Sequence, residues 1–165
     1  MRLSLFCRLL IAVLILPTGI AVGGSKLAGR ASVIDGDTVE IHSVRIRLFG
    51  IDAPESGQPC EDEEGHAYRC GQQAALALAD HIGQRPIVCE RRDTDRYGRI
   101  VAVCRMGGED LNAWLVSQGW AIAYRRYSTD YVAEEIAARI AKRGIWSGQF
   151  VSPSIWRRDH RPPYG

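Results

Sequence analysis

Two adjacent segments decide the fold of this chain: VIDGDTVEI at residues 33–41 and VRIRLFGIDAPE at residues 44–55. In both, apolar residues alternate with polar ones, which is the period of a half-buried β-strand. Gly36, between two aspartates, marks a kink or bulge that can aim both carboxylates the same way. Pro54 favours an extended or turning backbone and ends the second strand. The two segments therefore predict neighbouring strands that bring carboxylates and an arginine together.

The charged side chains of these strands suit phosphodiester chemistry. Asp37 and Asp52 can supply the hard oxygen ligands that Ca²⁺ prefers. Arg47 can grip a phosphate with two N–H groups, and Glu55 is a carboxylate free to position or deprotonate a water. Solvated carboxylates on the open face of a strand pair are the alternative, which Asp-Gly-Asp-Thr alone would favour.

A third segment adds a second arginine. TDRYGR at residues 94–99 precedes a short predicted strand at residues 100–103. The turn places Arg99 at a strand start, beside Tyr97, which can stack on a base. Taken alone, Arg99 would be interpreted as a surface arginine. Together, the three segments provide two arginines, a metal-type carboxylate pair and a spare glutamate, which predicts hydrolysis of a phosphodiester.

With these residues, the chain closely resembles the staphylococcal nuclease (thermonuclease) family. The matching segments follow the family's order and lie at residues 34–39, 47–55, 95–99, 111–119 and 144–147. The resemblance implies an α+β fold, a five-stranded OB-fold β-barrel with three α-helices. It also implies a Ca²⁺ site and cleavage of DNA and RNA to products with 3′-phosphate ends.

The resemblance assigns the main catalytic and metal-binding roles position by position. It makes Arg47, Glu55 and Arg99 catalytic, and it makes Asp37 and Asp52 the carboxylate ligands of the metal. The two arginines correspond to the phosphate-binding pair, and the glutamate corresponds to the residue that acts on the attacking water.

The same resemblance assigns supporting roles to four other residues. Ala53 corresponds to the residue that gives the metal a backbone carbonyl, and a backbone ligand tolerates alanine where the family often has threonine. Asp35 corresponds to a carboxylate near the metal that acts through water. Tyr97 and Tyr124 correspond to nucleotide-contacting tyrosines, although the spacing after Gly119 departs from the family's pattern at Tyr124.

The N-terminus has the pattern of a secretory signal, in which Arg2 and Arg8 flank a short start and an apolar run at residues 9–16 ends at Pro17. We expect three parts: a signal peptide at 1–23, a nuclease domain at 24–150, and a basic, proline-containing tail at 151–165 that is poorly ordered over residues 157–163. The protein would be exported to the periplasm or beyond. An uncleaved membrane anchor at residues 3–22 is the alternative.

Charge limits how a nucleic acid could bind. The chain has 21 Lys and Arg against 19 Asp and Glu, and losing Arg2 and Arg8 with the signal leaves 19 of each. A neutral mature domain lacks the general basic field of tight, non-specific nucleic-acid binders. DNA and RNA must therefore be bound by a local patch. We expect a monomer that makes no membrane contact after signal cleavage.

The cysteines indicate disulfides. Five are present, and four remain once Cys7 leaves with the signal. An even number in an exported protein favours bridges, and we expect them at Cys60–Cys70 and Cys89–Cys104. A zinc site from Cys60, His66 and Cys70, or free buried thiols, are the alternatives.

Three helices are predicted, with a polar, acidic loop over residues 53–70 before the first. They run over residues 72–82, 111–118 with Asp110 as the cap, and from a cap at Thr129 or Asp130 to about residue 143.

The third predicted helix has an apolar stripe. Val132, Ile136 and Ile140 recur every four residues, which predicts that this side of the helix packs on the core. Glu135 and Arg139 would then pair on the outer side.

These patterns together predict an exported, Ca²⁺-dependent, sugar-non-specific nuclease. A non-catalytic nucleic-acid-binding OB barrel is one alternative, but binding alone would not require a glutamate and metal-type carboxylates. An accessory protein of envelope or exopolysaccharide production is the other, because a signal peptide and a barrel suit it equally.

Overall fold

A computed structural model describes residues 25–160 of the chain. The predicted signal peptide lies outside the described residues. Within them the β-strands are β1 (Lys26–Gly29), β2 (Ser32–Asp35), β3 (Thr38–Ile41), β4 (Val44–Leu48), β5 (Ile51–Asp52), β6 (Pro59–Glu61), β7 (Ala67–Arg69), β8 (Ile87–Thr94), β9 (Ile100–Met106), β10 (Glu109–Asp110) and β11 (Ile122–Ala123). The helices are α1 (Cys70–Ile82), α2 (Leu111–Ser117), α3 (Val132–Ile140) and α4 (Pro153–Asp159), with a 3-10 turn at Gly144–Ser147. The fold is α+β, as predicted.

The largest sheet has the strand order β1-β8-β9-β4-β3-β2, with β10 paired to β9. Strands β2, β3 and β4 form an antiparallel meander, and β4 then pairs in parallel with β9, which pairs antiparallel with β8. Five strands connected in this way have the OB-type arrangement. The predicted five strands are therefore present, and β1 and β10 extend the sheet.

Alternation along β3 and β4 separates the core from the site. Val39, Ile41, Ile46 and Leu48 are buried in a core that also takes in apolar residues of α1 and α2. Arg47 points to the opposite face and pairs in register with the first residue of β3. A slip of one residue would exchange the two faces, so burial of the apolar set fixes where the arginine points.

The first two helices confirm the prediction with small changes of boundary. Helix α1 begins at Cys70 and is followed by Gly83, whose φ of 55° is left-handed. Asp110 caps α2, because its carboxylate accepts the N–H of Ala113 at 3.0 Å. Helix α3 is shorter than predicted and has no side-chain cap, so the predicted caps at Thr129 and Asp130 were wrong.

The predicted orientation of α3 was also wrong, although the predicted ion pair of Glu135 with Arg139 is present at 3.9 Å. Glu135 is buried, and its carboxylate accepts the N–H of Ala123 at 2.8 Å and Nη1 of Arg125 at 2.9 Å. Ile136 is exposed and Ile140 is 80% exposed. The glutamate faces inward because it satisfies a buried N–H and an arginine, so the outer part of the apolar stripe is left in solvent.

Two segments that were predicted to be irregular are ordered. Strands β6 and β7 form a small antiparallel pair within the predicted loop at residues 53–70. The start of the predicted tail forms a fourth helix, α4. The prediction of poor order at residues 157–163 was therefore wrong for residues 157–159, which lie in α4.

Both predicted disulfides are present, Cys60–Cys70 and Cys89–Cys104. The second joins β8 to β9 at directly opposite positions of the ladder. The alternative prediction of a zinc site was wrong, because the sulfurs of Cys60 and Cys70 are bonded to each other. Such bridges stabilise a domain chiefly by restricting the unfolded chain.

No helix within residues 25–160 is both long and apolar enough to cross a membrane. The alternative anchor at residues 3–22 lies outside that range.

Candidate active site

Asp37, Arg47 and Asp52 meet around one guanidinium. Asp37 immediately precedes β3, Arg47 lies in β4 and Asp52 ends β5. Arg47 donates from Nη1 to Asp37 Oδ1 at 3.0 Å and from Nη2 to Asp52 Oδ1 at 3.1 Å. Both aspartates are buried. The guanidinium therefore holds two buried carboxylates side by side, as the strand pattern predicted.

Asp35 and Ala53 lie next to this pair. The N–H of Asp37 donates to Asp35 Oδ1 at 3.0 Å, and the N–H of Ala53 donates to Asp37 Oδ2 at 3.1 Å. A Cβ on Gly36 would stand 2.7 Å from the Cβ of Ala53, which is closer than side chains pack. The glycine of the Asp-Gly-Asp motif therefore allows the β2–β3 turn to approach the segment after β5.

Glu55 lies on a loop whose backbone is fixed. Its N–H donates to Oε1 of the buried Gln58 at 3.2 Å, and its carbonyl accepts the N–H of Gln58 at 2.7 Å. Gly71, in the first turn of α1, packs so closely that a Cβ there would overlap the carbonyl oxygen of Glu55. Helix α1 thus sets the position of the loop.

Arg157 of α4 also contacts the site, and sequence reasoning missed it. Its Nη1 donates to Glu55 Oε1 at 2.8 Å, and its Nη2 donates to Asp52 Oδ2 at 2.9 Å. These partners are 102 and 105 residues away along the chain, so no local pattern links them. The available signal was Ser152-Pro153, because proline at the first position of a helix is typical of a helix start.

Burial makes it unfavourable for the two aspartates of the site to carry their negative charge. Burial, opposed by Arg47 and reinforced by the charges of Asp35 and Asp52, raises the pKa of Asp37 to about 7. Burial also raises the pKa of Asp52, although Arg157 and Arg47 oppose the shift. Hard carboxylate oxygens in this electrostatic state fit a divalent cation such as Ca²⁺.

Arg99 and Tyr97 form a separate unit in the turn before β9. Arg99 Nε donates to Asp95 Oδ2 at 2.7 Å, and the guanidinium lies 5.7 Å from the centroid of the Tyr97 ring. Val101 pairs with Arg47, so alternation places Arg99 on the same face of the sheet as Arg47. Within residues 25–160, however, no hydrogen bond or ion pair joins Arg99 to the site carboxylates.

Tyr124 lies near the strand of Asp52 without bonding to its side chain. Its N–H donates to the carbonyl of Gly50 at 2.8 Å, and its ring packs edge-on against Tyr127 at 4.9 Å. The preceding β11 pairs with β5. Its predicted contact with nucleotide stays a prediction.

A second group of potential metal ligands lies elsewhere. Ligand atoms of Asp62, Glu64 and His66 come within 4.8 Å of one another, in a mainly exposed loop. Asp62 Oδ1 accepts the N–H groups of both other residues, at 3.0 and 2.8 Å. These bonds explain the cluster as the hydrogen bonding of a loop turn, and none of its members is a predicted ligand of Ca²⁺.

Comparison with known proteins identifies the family. The sequence model described as "Staphylococcal nuclease homologue" matches residues 45–148. The chain belongs to the staphylococcal nuclease family.

Curated relatives of this staphylococcal nuclease family member carry two kinds of name. A micrococcal nuclease of Shigella flexneri is 33% identical over 144 residues, covering 76% of this chain and 77% of that protein. An uncharacterized endonuclease of Haemophilus influenzae is 32% identical over 137 residues, covering 78% and 71%. A succinoglycan biosynthesis protein, ExoI, of Rhizobium meliloti is 42% identical over 141 residues, covering 82% and 72%. The family and its nuclease-named members support a nuclease function in general terms.

The packing of α1 on the Glu55 loop gives a first prediction. We expect Gly71→Ala to lower the free energy of unfolding by about 1–3 kcal/mol, because the added methyl group overlaps the Glu55 carbonyl and the backbone must shift. Denaturant unfolding measures this loss. Gly57→Ala is the matched control in the same loop, since its Cβ would meet open space. Equal losses in the two variants would contradict the prediction.

Proposed function

We propose that this protein is an exported, Ca²⁺-dependent, sugar-non-specific nuclease that hydrolyses the phosphodiester bonds of DNA and RNA. The observation that carries the proposal is the buried pair Asp37 and Asp52 held by Arg47, with Glu55 joined to Asp52 through Arg157. A binding protein gains nothing from burying two acidic side chains where a phosphate must approach. A hydrolase that uses a cation needs such a pair.

The residues that would hold the ion are the carboxylates of Asp37 and Asp52 and the carbonyl of Ala53, with Asp35 acting through water. Bound there, Ca²⁺ would supply positive charge beside the scissile phosphate.

Glu55 is proposed as the general base. Its side chain is 40% exposed, so water reaches it. The carboxylate accepts a proton from the attacking water while the water oxygen bonds to phosphorus and the bond from phosphorus to O5′ breaks. The 5′-alcohol leaves with a proton from solvent, and the phosphate remains on the 3′ side. The 3′-phosphate product follows from the family resemblance.

Arg47 and Arg99 are proposed to bind the phosphate oxygens. Two planar guanidiniums match the trigonal charge that develops on phosphorus better than point charges do. Tyr97 is 69% exposed beside Arg99, and Tyr124 lies near Asp52, so both can stack on bases. Stacking tolerates any base, which suits a nuclease without sequence preference.

Export and a monomeric state belong to the same proposal. The two disulfides favour an oxidising compartment, which in a bacterial or secreted setting lies outside the cytosol. The signal pattern at residues 1–23 supports the same location.

A cleavage assay tests the proposal. The purified protein should cleave single-stranded DNA and RNA in Ca²⁺ and stop when a chelator is added. Mg²⁺ should be a poor substitute, because it demands a tighter octahedral site and loses its water reluctantly. Gel analysis with end-labelled substrate gives both the rate and the end group. Undiminished cleavage in chelator would exclude the metal role.

A second candidate function is favoured by one relative. The name of the Rhizobium meliloti protein assigns it to succinoglycan biosynthesis, and this chain could likewise serve exopolysaccharide production. The same assay separates the candidates when paired with a gel shift. Binding of single-stranded DNA without cleavage in any divalent ion would indicate a non-catalytic barrel. Neither binding nor cleavage by the folded protein would favour the accessory role.

A further inference from the structure

The contacts of α4 place a second guanidinium directly on Asp52, a proposed metal ligand, and on Glu55, the proposed base. Arg157 Nη2 lies 2.9 Å from both Asp52 Oδ1 and Asp52 Oδ2, and Nη1 lies 2.8 Å from Glu55 Oε1. Nη2 of Arg47 also donates to Asp52 Oδ1. Each carboxylate oxygen has about two lone-pair positions. Oδ2 of Asp52 therefore accepts a hydrogen bond from Arg157, while Oδ1 accepts one from Arg47 and also lies at ion-pair distance from Arg157.

The segment that carries Arg157 is anchored beside the site. Gln58, which holds the Glu55 backbone, donates from Nε2 to the carbonyl of Val151 at 2.6 Å. Helix α4 begins two residues later and has seven residues. The same buried amide thus links the Glu55 loop to the start of the segment that brings Arg157 in, so the contact is built into the fold.

We infer that Arg157 is a built-in counter-ion that competes with the divalent cation for Asp52 and Glu55, and so sets the cation concentration at which the site loads. The inference rests on the proposed function, since it concerns the same metal site. A guanidinium and a metal ion both bind through the lone pairs of the same carboxylate oxygens, and both are attracted by the same negative charge. Arg47 differs because it reaches both aspartates from strand β4 within the sheet, whereas Arg157 lies in the seven-residue helix α4 outside the sheet.

Competition has a measurable consequence for binding. If the cation binds only when the guanidinium has released Asp52, the apparent Kd is raised by the reciprocal of the released fraction. Removing the guanidinium should therefore tighten cation binding by on the order of tenfold. A lysine at the same place keeps the charge but not the two-pronged contact, so it should tighten binding less.

The neighbouring Arg158 provides a matched control. Its side chain is 71% exposed, and its ion pair is with Asp159 at 3.2 Å. Arg158→Gln removes the same formal charge from the same helix turn without touching the site. It should leave the Ca²⁺ affinity within about twofold of the parent, because exposed charges are well screened.

The experiment is isothermal titration of Ca²⁺ into four proteins: the parent, Arg157→Gln, Arg157→Lys and Arg158→Gln. We expect Arg157→Gln to bind Ca²⁺ most tightly and Arg157→Lys less tightly. The parent and Arg158→Gln should bind Ca²⁺ most weakly, with similar affinities. Thermal unfolding with and without Ca²⁺ is the second measurement. The rise in Tm on adding Ca²⁺ should be larger for Arg157→Gln than for the parent, because tighter binding to the folded state stabilises it more.

The outcomes separate this inference from the proposed function. Suppose that the parent binds Ca²⁺ and cleaves DNA, and that Arg157→Gln binds Ca²⁺ with the same affinity as the parent or with a lower one. The counter-ion role is then overturned and the proposed function stands. If Arg157→Gln binds Ca²⁺ and the parent does not, competition is supported and the parent's Ca²⁺ dependence fails. Binding by none of the four folded proteins overturns both. Should Arg157→Gln not fold, the comparison of Arg157→Lys with Arg158→Gln decides the same question.

Discussion

Glu55→Gln is expected to lower kcat by on the order of 10²-fold or more while Ca²⁺ and nucleotide still bind. Glutamine has the size of glutamate and can still accept the hydrogen bond from Arg157 through its Oε1. Its amide cannot take a proton from water, so only the proposed base function is lost. Cleavage rates measured against Ca²⁺ concentration, together with Ca²⁺ titration, separate a lost base from a lost ligand.

Two control variants make this prediction sharper. Asp37→Asn should weaken Ca²⁺ binding, and added Ca²⁺ should restore part of the rate, because a ligand rather than the base has been altered. Glu64→Gln alters the exposed Asp62, Glu64 and His66 cluster and should change neither rate nor Ca²⁺ requirement. If Glu55→Gln only shifts the Ca²⁺ requirement, its role has been assigned wrongly. If Glu64→Gln shifts it instead, the exposed cluster is the metal site.

The centre of the site could be predicted because strand geometry is local. Alternation in β3 and β4 assigns each side chain to a face, and burial of Ile46 and Leu48 leaves one register. Alternation places Arg47 on the face away from the core, and the kink predicted at Gly36 lets the carboxylate of Asp37, just before β3, reach that arginine. The turn before Asp52 brings the second carboxylate back to this point. The predicted grouping of Asp37, Arg47 and Asp52 is confirmed, although their chemical roles stay predictions.

The orientation of α3 could not be predicted from periodicity. An apolar repeat every four residues normally marks the buried side of a helix. Here Glu135 is buried instead, because its carboxylate satisfies the N–H of Ala123 and the guanidinium of Arg125. Those partners become visible only when β11 is placed against the helix. A buried carboxylate with two donors can thus outweigh the exposure of Ile136 and Ile140.

The contact of Arg157 with the site could not be predicted for a related reason. A basic segment with prolines at the end of a chain is typical of a disordered tail. Its order depends on contacts with Asp52, Glu55 and Gln58, all of which lie far away in sequence. Ser152-Pro153 indicates that a helix can start there, but not where its side chains go.

Arg47→Lys is expected to lower kcat by on the order of 10²–10³-fold, the loss typical of removing a donor that stabilises transition-state charge. Arg47 uses two nitrogens to hold two buried carboxylates, at 3.0 and 3.1 Å. One ammonium cannot bridge both carboxylates and still face a phosphate. Arg45→Lys is the matched control on the same strand and face, since Arg45 is 64% exposed and pairs with Glu40 at 3.6 Å. Steady-state rates of both variants at saturating Ca²⁺ give the comparison.

The same series decides the role of Arg99. Asp95 holds its Nε at 2.7 Å, which leaves the Nη groups to meet a phosphate. We expect Arg99→Lys to lower kcat far more than Arg45→Lys does, because the lysine cannot bind Asp95 and grip a phosphate at once. Its Ca²⁺ affinity should stay at the parent value, since Arg99 makes no bond to the site carboxylates within residues 25–160. If Arg99→Lys has the same kcat as Arg45→Lys, Arg99 is an ordinary surface arginine. Arg47 would then be the single proposed phosphate-binding arginine.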